Sequence, residues 1–234
     1  KIIARSEEED VPAEELARKY TDLFFEHIER LGVRRASRHP KATEFIGPMI
    51  GMIKSLVDKG HAYATDDGSV WFDVRSFKDY GKLSRKKLDD MRQGERVSED
   101  QQRMKKNAAD FCLWKTAKPG EPAWESPWGK GRPGWHTECS VMSMDIHAGG
   151  IDLQFPHHEN EIAQSECKTG HPFARYWIHN GFLNIDGEKM SKSLGNFKTI
   201  DALLEKYDAL ALRHFLLSAH YRTELDFTVE NLDA

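Results

Sequence analysis

The stretch that decides the reading runs Gly134-Trp135-His136-Thr137-Glu138-Cys139-Ser140 and then, past a glycine pair at Gly149-Gly150, Phe155-Pro156-His157-His158-Glu159-Asn160-Glu161. It holds a thiol, Cys139, two adjacent imidazoles, His157 and His158, and two carboxylates, Glu159 and Glu161. Pro156 suits the opening of a helix, because the first turn needs no N–H from it. In that helix His157 and Glu161 are four residues apart and share one face. The glycine pair reads as a turn between Cys139 and the two of them. One sulfur, one nitrogen and one oxygen on converging elements are three legitimate zinc ligands. The spacing is not the His-Glu-x-x-His of the common zinc proteases or its inverse. From these residues alone a second reading stays open, with Cys139 a small buried hydrophobe and the histidines capping a helix.

A second stretch tips the balance. In Gly187-Glu188-Lys189-Met190-Ser191-Lys192-Ser193-Leu194-Gly195-Asn196, two lysines stand three apart in a Gly-flanked, Ser-rich loop. Such a loop suits a clamp on phosphates, because ammonium groups neutralise charge that builds as pyrophosphate leaves. A bare Lys-x-x-Lys is more often a solvated basic turn. Here it sits in Lys-Met-Ser-Lys-Ser, following Asn180-Gly181-Phe182-Leu183, and resembles the signature of class I aminoacyl-tRNA synthetases. Together, the three motifs resemble the cysteinyl-tRNA synthetase family, and the resemblance runs through most of the 234 residues.

That resemblance implies an α/β fold: a class I Rossmann-like catalytic fold with an inserted α+β segment and the start of a C-terminal helical domain. Residues 1–60 correspond to the remainder of the first half of the catalytic fold, and 61–133 to the inserted connective segment. Residues 134–193 are the second half with the zinc site and the lysine loop, and 194–234 the link to a helical tRNA-binding domain. The implied activity is ATP-dependent activation of L-cysteine to cysteinyl-adenylate, with Mg2+, followed by transfer to tRNA-Cys in the cytoplasm. Cys139, His157 and Glu161 would hold a zinc that selects the substrate thiolate; His158 and Glu159 would support them. Trp135 resembles the aromatic wall of the cysteine pocket, with plain core packing as the alternative. Asp152 would approach the adenosine, and Lys189 and Lys192 the departing pyrophosphate, with Lys192 on ATP.

The chain departs from the family pattern in three places. The His-Ile-Gly-His motif that holds ATP has no counterpart, since Lys1-Ile2-Ile3 resembles a segment well after it, and the family's first zinc cysteine lies in the same part. Several residues that the family carries between Ser140-Val141-Met142 and Met144-Asp145-Ile146-His147 are also lacking; a disordered loop there is the expectation. The chain is thus expected to be part of a longer synthetase.

Two other classes remain in view: a ligase passing activated cysteine to an amino sugar, and a non-catalytic zinc module. The oligomeric state is open, a monomer being the favoured state.

Composition agrees. Charged residues are 31% and apolar residues 39%, as in a globular chain. No apolar run approaches the roughly 18 residues that span a membrane, and no signal peptide is seen. Three widely spaced cysteines argue for a reducing compartment. A net charge of −4 gives no global nucleic-acid footprint, although Arg103, Lys105 and Lys106 form a local basic run.

Apolar spacing predicts helices opened by Val11-Pro12 and closed by Gly32, and again from Ile46 to Gly60. Ala62–Ala64 and Val70–Val74 flank Asp66-Asp67-Gly68 as a hairpin, and Phe111–Lys115 is a short strand. Lys118–Pro133 reads as an ordered connection. From Gly134 to Met190 strands alternate with helices, which suggests a parallel sheet with its ligand at the strands' carboxyl ends. Thr199 is placed to cap a helix from Ile200, and Asp208 to Arg222 reads as helical.

Overall fold

The computed structural model describes residues 2–88, 104–143, 145–191, 194–196 and 198–233. They form two compact units, residues 40–178 and residues 1–39 with 179–234.

In the unit 40–178, helix Ile46–Asp58 buries Met49, Met52, Ile53 and Leu56, a single stripe at 3.6-residue spacing. Gly60, at φ +78°, closes it in the left-handed conformation. A four-stranded antiparallel sheet follows, ordered Ala62–Ala64, Val70–Phe72, Phe111–Thr116, Gly131–Pro133. The expected hairpin is present, and its turn is held by Asp67, which accepts from the Ser69 amide and hydroxyl. The last strand lies inside the run read as a connection; its register against Trp114–Thr116 is a long-range pairing with no local signal. Val70, Phe72, Leu113 and Trp114 pack with Met52, Ile53 and Leu56 in one core. Truncating a fully buried residue such as Leu56 to alanine there costs about 2–5 kcal/mol.

This sheet launches the site. Gly134 N bonds to Leu113 O at 2.8 Å, and a Cβ on Gly134 would lie 2.1 Å from Cys112 O. Only glycine lets the chain leave the sheet so closely and enter helix Trp135–Met142. Strand Ile146–Gly150, helix Glu159–Thr169 and strand Tyr176–Asn180 follow, and the two strands form a small sheet. Strand–helix alternation is therefore as expected, with two differences. Gly149 and Gly150 end a strand instead of making a turn. The ring of His158 lies against Gly149, where a Cβ would come within 3.1 Å of it, so close packing accounts for this glycine. The reversal is made by a 3-10 turn at Ile151–Leu153 and a wider turn at Gln154–His158 with a cis Phe155-Pro156 bond. The regular helix consequently starts at Glu159, after Pro156 and His157.

In the unit formed by 1–39 and 179–234, helix Ala13–Arg30 starts directly after Pro12, and Gly32 follows it at φ +68°. In helix Ile2–Glu9, Arg5 pairs with Glu8 and Glu9. Strand Leu183–Ile185 pairs antiparallel with Glu188–Lys189 and parallel with Leu225–Phe227. Thr199 caps helix Ile200–Leu204 by accepting from Ala202 N, and Asp208 caps Ala209–Leu217 by accepting from Leu210 N. Leu31, Ile185, Leu212, Phe215 and Phe227 make its core. Among the described residues no helix is long and apolar enough to cross a membrane.

Candidate functional site

Cys139 stands on the helix launched by Gly134, His157 in the irregular turn and Glu161 in the first turn of helix Glu159–Thr169. One ligand atom from each lies within 4.8 Å of the others, so the three residues do converge. A second set shares Glu161: His147, His158 and Glu161 meet within the same distance. His157 Nε2 is 2.9 Å from Glu161 Oε1, and His147 Nε2 is 3.0 Å from Glu161 Oε2. Both oxygens are buried, and neither receives a hydrogen bond of acceptable geometry. The imidazole nitrogens are close but do not aim an N–H along the contact. Buried carboxylate oxygens left unmet in this way are what a cation would satisfy.

The electrostatics agree. Burial, reinforced by the Glu161 and Glu138 carboxylates, pushes the Cys139 thiol up to about 12. Without a cation the sulfur therefore keeps its proton at neutral pH, and a thiolate there requires positive charge beside it. Burial would raise the Glu161 carboxyl, but the facing His147 and His157 outweigh it and hold it below its ordinary value. Burial and the neighbouring His157 pull His136 down to about 3, so it is neutral. His136 Nδ1 lies 2.6 Å from His157 Nδ1. If His157 carries that proton, its Nε2 is bare and available to a metal, and His136 is the outer partner that fixes the tautomer. The donor set thus fits a zinc ion: borderline-soft S, N and O ligands, nearly dry, with an outer hydrogen bond in place.

Trp135 is 54% exposed, which excludes plain core packing. Its ring lies 4.0 Å from that of His157, nearly parallel at 26°, so it roofs one of the donors. Asp152 is exposed on the turn Ile151–Leu153 and belongs to neither donor set. His158 is a donor of the second set, whereas Glu159 accepts from backbone amides of Gly81 and Ser84 and so holds another segment. His147 and His136 were not foreseen. His147 enters through strand Ile146–Gly150, whose pairing no local pattern announces; the one signal for His136 was its place inside the Gly-Trp-His motif.

The lysine loop lies in the other unit. Lys189 is exposed on strand Glu188–Lys189 with its Nζ 3.7 Å from the Phe182 ring centre. Asn196 ties the loop: its Oδ1 accepts from Ser191 N at 2.8 Å, and its Nδ2 donates to Lys189 O at 3.3 Å. Lys192 lies outside the described residues, as does Met144 at the expected loop junction.

Comparison with known proteins supports the same family. A family profile described as the tRNA synthetases class I (C) catalytic domain matches residues 1–234. The chain is 56% identical over 240 residues to the cysteine–tRNA ligase of Nitratidesulfovibrio vulgaris (strain DP4), covering 100% of this chain and 49% of that protein. It is likewise 56% identical to the cysteine–tRNA ligase of Carboxydothermus hydrogenoformans, covering 100% of this chain and 51% of that one. The chain thus spans about half the length of the curated relatives it matches. Among solved structures, Mycobacterium tuberculosis methionyl-tRNA synthetase with methionyl-adenylate superposes with a TM-score of 0.70 at 16% identity, over 99% of this chain and 57% of that one. That likeness shows a class I synthetase catalytic fold, and with the family match it makes the chain a member of the class I (C) tRNA synthetase catalytic-domain family.

Proposed function

We propose that the intact protein is a cytoplasmic cysteine–tRNA ligase. The observation that carries this reading is the convergence of Cys139, His157 and Glu161 around unbonded carboxylate oxygens, in a chain of this family. The cysteine carboxylate attacks the α-phosphorus of ATP, with Mg2+, and pyrophosphate leaves. A hydroxyl of the terminal ribose of tRNA-Cys then attacks the acyl carbon, and AMP leaves.

Serine differs from cysteine by oxygen for sulfur, a difference that packing separates poorly. A zinc ion held by Cys139, His157 and Glu161 would favour a soft thiolate and so reject serine without an editing site. Trp135 roofs the substrate side of His157 and excludes water from it. Asp152 approaches the adenosine. Lys189 and Lys192 neutralise the departing pyrophosphate, with Lys192 on ATP. The segment boundaries 1–60, 61–133, 134–193 and 194–234 are carried over with this reading. The relatives named above favour tRNA over an amino sugar as acceptor.

The test is cysteine-dependent ATP–pyrophosphate exchange by the intact protein, run beside serine. Exchange with cysteine alone supports the reading. Equal exchange with serine rejects metal selection, and no exchange with either rejects the enzyme.

A further inference from the structure

Glu159 is fully buried two residues before Glu161, yet it belongs to neither donor set. Its carboxylate accepts from Gly81 N at 3.1 Å and from Ser84 N at 2.6 Å. A buried carboxylate is tolerated only when its lone pairs are met, and here backbone amides of the turn 80–84 meet them. Three more ties join the same turn to helix Glu159–Thr169 and the irregular turn that leads into it. Tyr80 donates its hydroxyl to Asn160 Oδ1, Gln154 Nε2 donates to Leu83 O at 3.4 Å, and Lys82 Nζ lies 2.5 Å from Glu166 Oε2. The turn is itself shape-bound: Gly81 has φ +95°, and a Cβ there would lie 1.9 Å from Lys86 O. Every grip falls on residues 154–166, the stretch that carries His157, His158 and Glu161.

That stretch needs an external hold. A helix normally fixes its first turn by a side-chain cap, but Glu159–Thr169 has none. It grows from the wide turn Gln154–His158, in which Phe155 has non-helical angles. Its first turn is thus held from behind only by the irregular turn, through the bond from Glu159 N to Pro156 O, and Glu161 lies in that first turn with His157 just before it.

We propose that Glu159 is the positioning residue of this metal centre: by clamping the turn 80–84 it sets how His157 and Glu161 face Cys139. The turn lies in the segment 61–133, so that segment acts on cysteine selection through the helix. This last step rests on the function proposed above.

The test replaces Glu159→Gln in the intact protein, which keeps the size but sets an amide N–H against a backbone N–H. Outer supports of metal ligands typically matter by 10–100-fold. The expected result is a KM for cysteine raised about 10-fold with the KM for ATP unchanged. With cobalt(II) as the probe, the thiolate-to-cobalt band is retained while the d–d bands shift. A lower melting temperature with both KM values and the cobalt spectrum as in the wild type would overturn the proposal, leaving Glu159 a stability residue. If Glu159→Gln does not fold, Tyr80→Phe decides: it removes one grip, and the same KM split, weaker at about 3-fold, is expected; wild-type values overturn the proposal. If the wild-type protein shows no cysteine-dependent exchange, the function fails while the cobalt spectra still decide the clamp.

Discussion

His157 Nε2 stands 2.9 Å from Oε1 of Glu161, four residues further on, and the two do not form a hydrogen bond. On the other side, His147 Nε2 stands 3.0 Å from the second oxygen of the same carboxylate. A buried carboxylate between two imidazoles ordinarily gathers their N–H groups. Here neither ring nitrogen aims an N–H at the carboxylate, and the Cys139 sulfur lies within 4.8 Å of the donor atoms of His157 and Glu161. The arrangement is more readily understood as a ligand set than as a salt bridge, because it leaves polar atoms unmet that a cation would satisfy.

The first prediction follows directly. Cys139→Ser in the intact protein loses its zinc on gel filtration, since a neutral hydroxyl replaces a thiolate poorly. Metal content by atomic emission checks it. Retention of zinc in this variant would mean that Cys139 is not a ligand.

Trp135→Ala tests the roof. The ring stacks on His157 but is itself half in solvent, so its loss should lower the melting temperature by no more than a few degrees. An aromatic stack is worth about 0.5–1.5 kcal/mol. The KM for cysteine should therefore rise about 2–10-fold with the KM for ATP unchanged. Pyrophosphate exchange across cysteine concentrations measures both, and an unchanged cysteine KM rejects the role.

Much of this site is legible in the sequence because its parts are local. His157 and Glu161 are four apart, and a zinc reading needs only the donor types and that spacing. The glycine pair shows where local reading stops. By itself it signals a turn, but Gly149 is small because the ring of His158 packs on it within a strand. His147 reaches Glu161 through strand Ile146–Gly150, a placement set by tertiary packing. The grip of Glu159 on Gly81 and Ser84 spans more than seventy residues and leaves no periodic trace. Helix Ile2–Glu9 escaped for the opposite reason: it is local, but at 8 residues it is too short for a repeat to declare it.

A pH prediction comes from outside the site. Burial pushes the Cys112 thiol up to about 12 from an ordinary value of 9.0. The folded-state value is the higher one, so the stability it confers is fully present below pH 9. Between about pH 9 and 12 the unfolded chain sheds this proton while the folded one keeps it. Stability then falls by up to about 1.4 kcal/mol per pH unit from this group. Urea midpoints from pH 8 to 10.5 should decline, and Cys112→Val should decline less steeply. Equal slopes would show that Cys112 is not buried as a thiol.

Lys192→Ala addresses the phosphate step. Removing one transition-state charge stabiliser lowers rates by about 10²-fold or more. Adenylate formation in single turnover should fall by that factor, while cysteine affinity stays as it was, because the lysine acts on phosphate. Wild-type exchange in this variant would reject the clamp.

The acceptor is the last question, and salt separates the candidates. Phosphate contacts release counterions, so binding falls with salt in proportion to the phosphates neutralised, with a log–log slope near −0.7 per contact on single strands and about −0.9 on duplex DNA. An amino sugar carries no such polyanion. Lys106 is exposed with its ammonium 4.3 Å over the Tyr63 ring, while half-buried Lys105 holds its ammonium 5.2 Å over Trp71 and donates to Ala108 O. The intact protein should therefore charge tRNA with cysteine, and tRNA binding should weaken steeply between low and physiological salt. The double variant Lys105→Ala, Lys106→Ala should flatten the log–log slope by about one to two units. Cysteine-dependent exchange without RNA should persist in it at the wild-type rate, since neither lysine is among the residues assigned to cysteine or ATP. A salt slope unchanged by the double variant removes these two lysines from the tRNA surface. Exchange with amide formation on an amino sugar, and no charging of tRNA, would reject the synthetase in favour of the ligase.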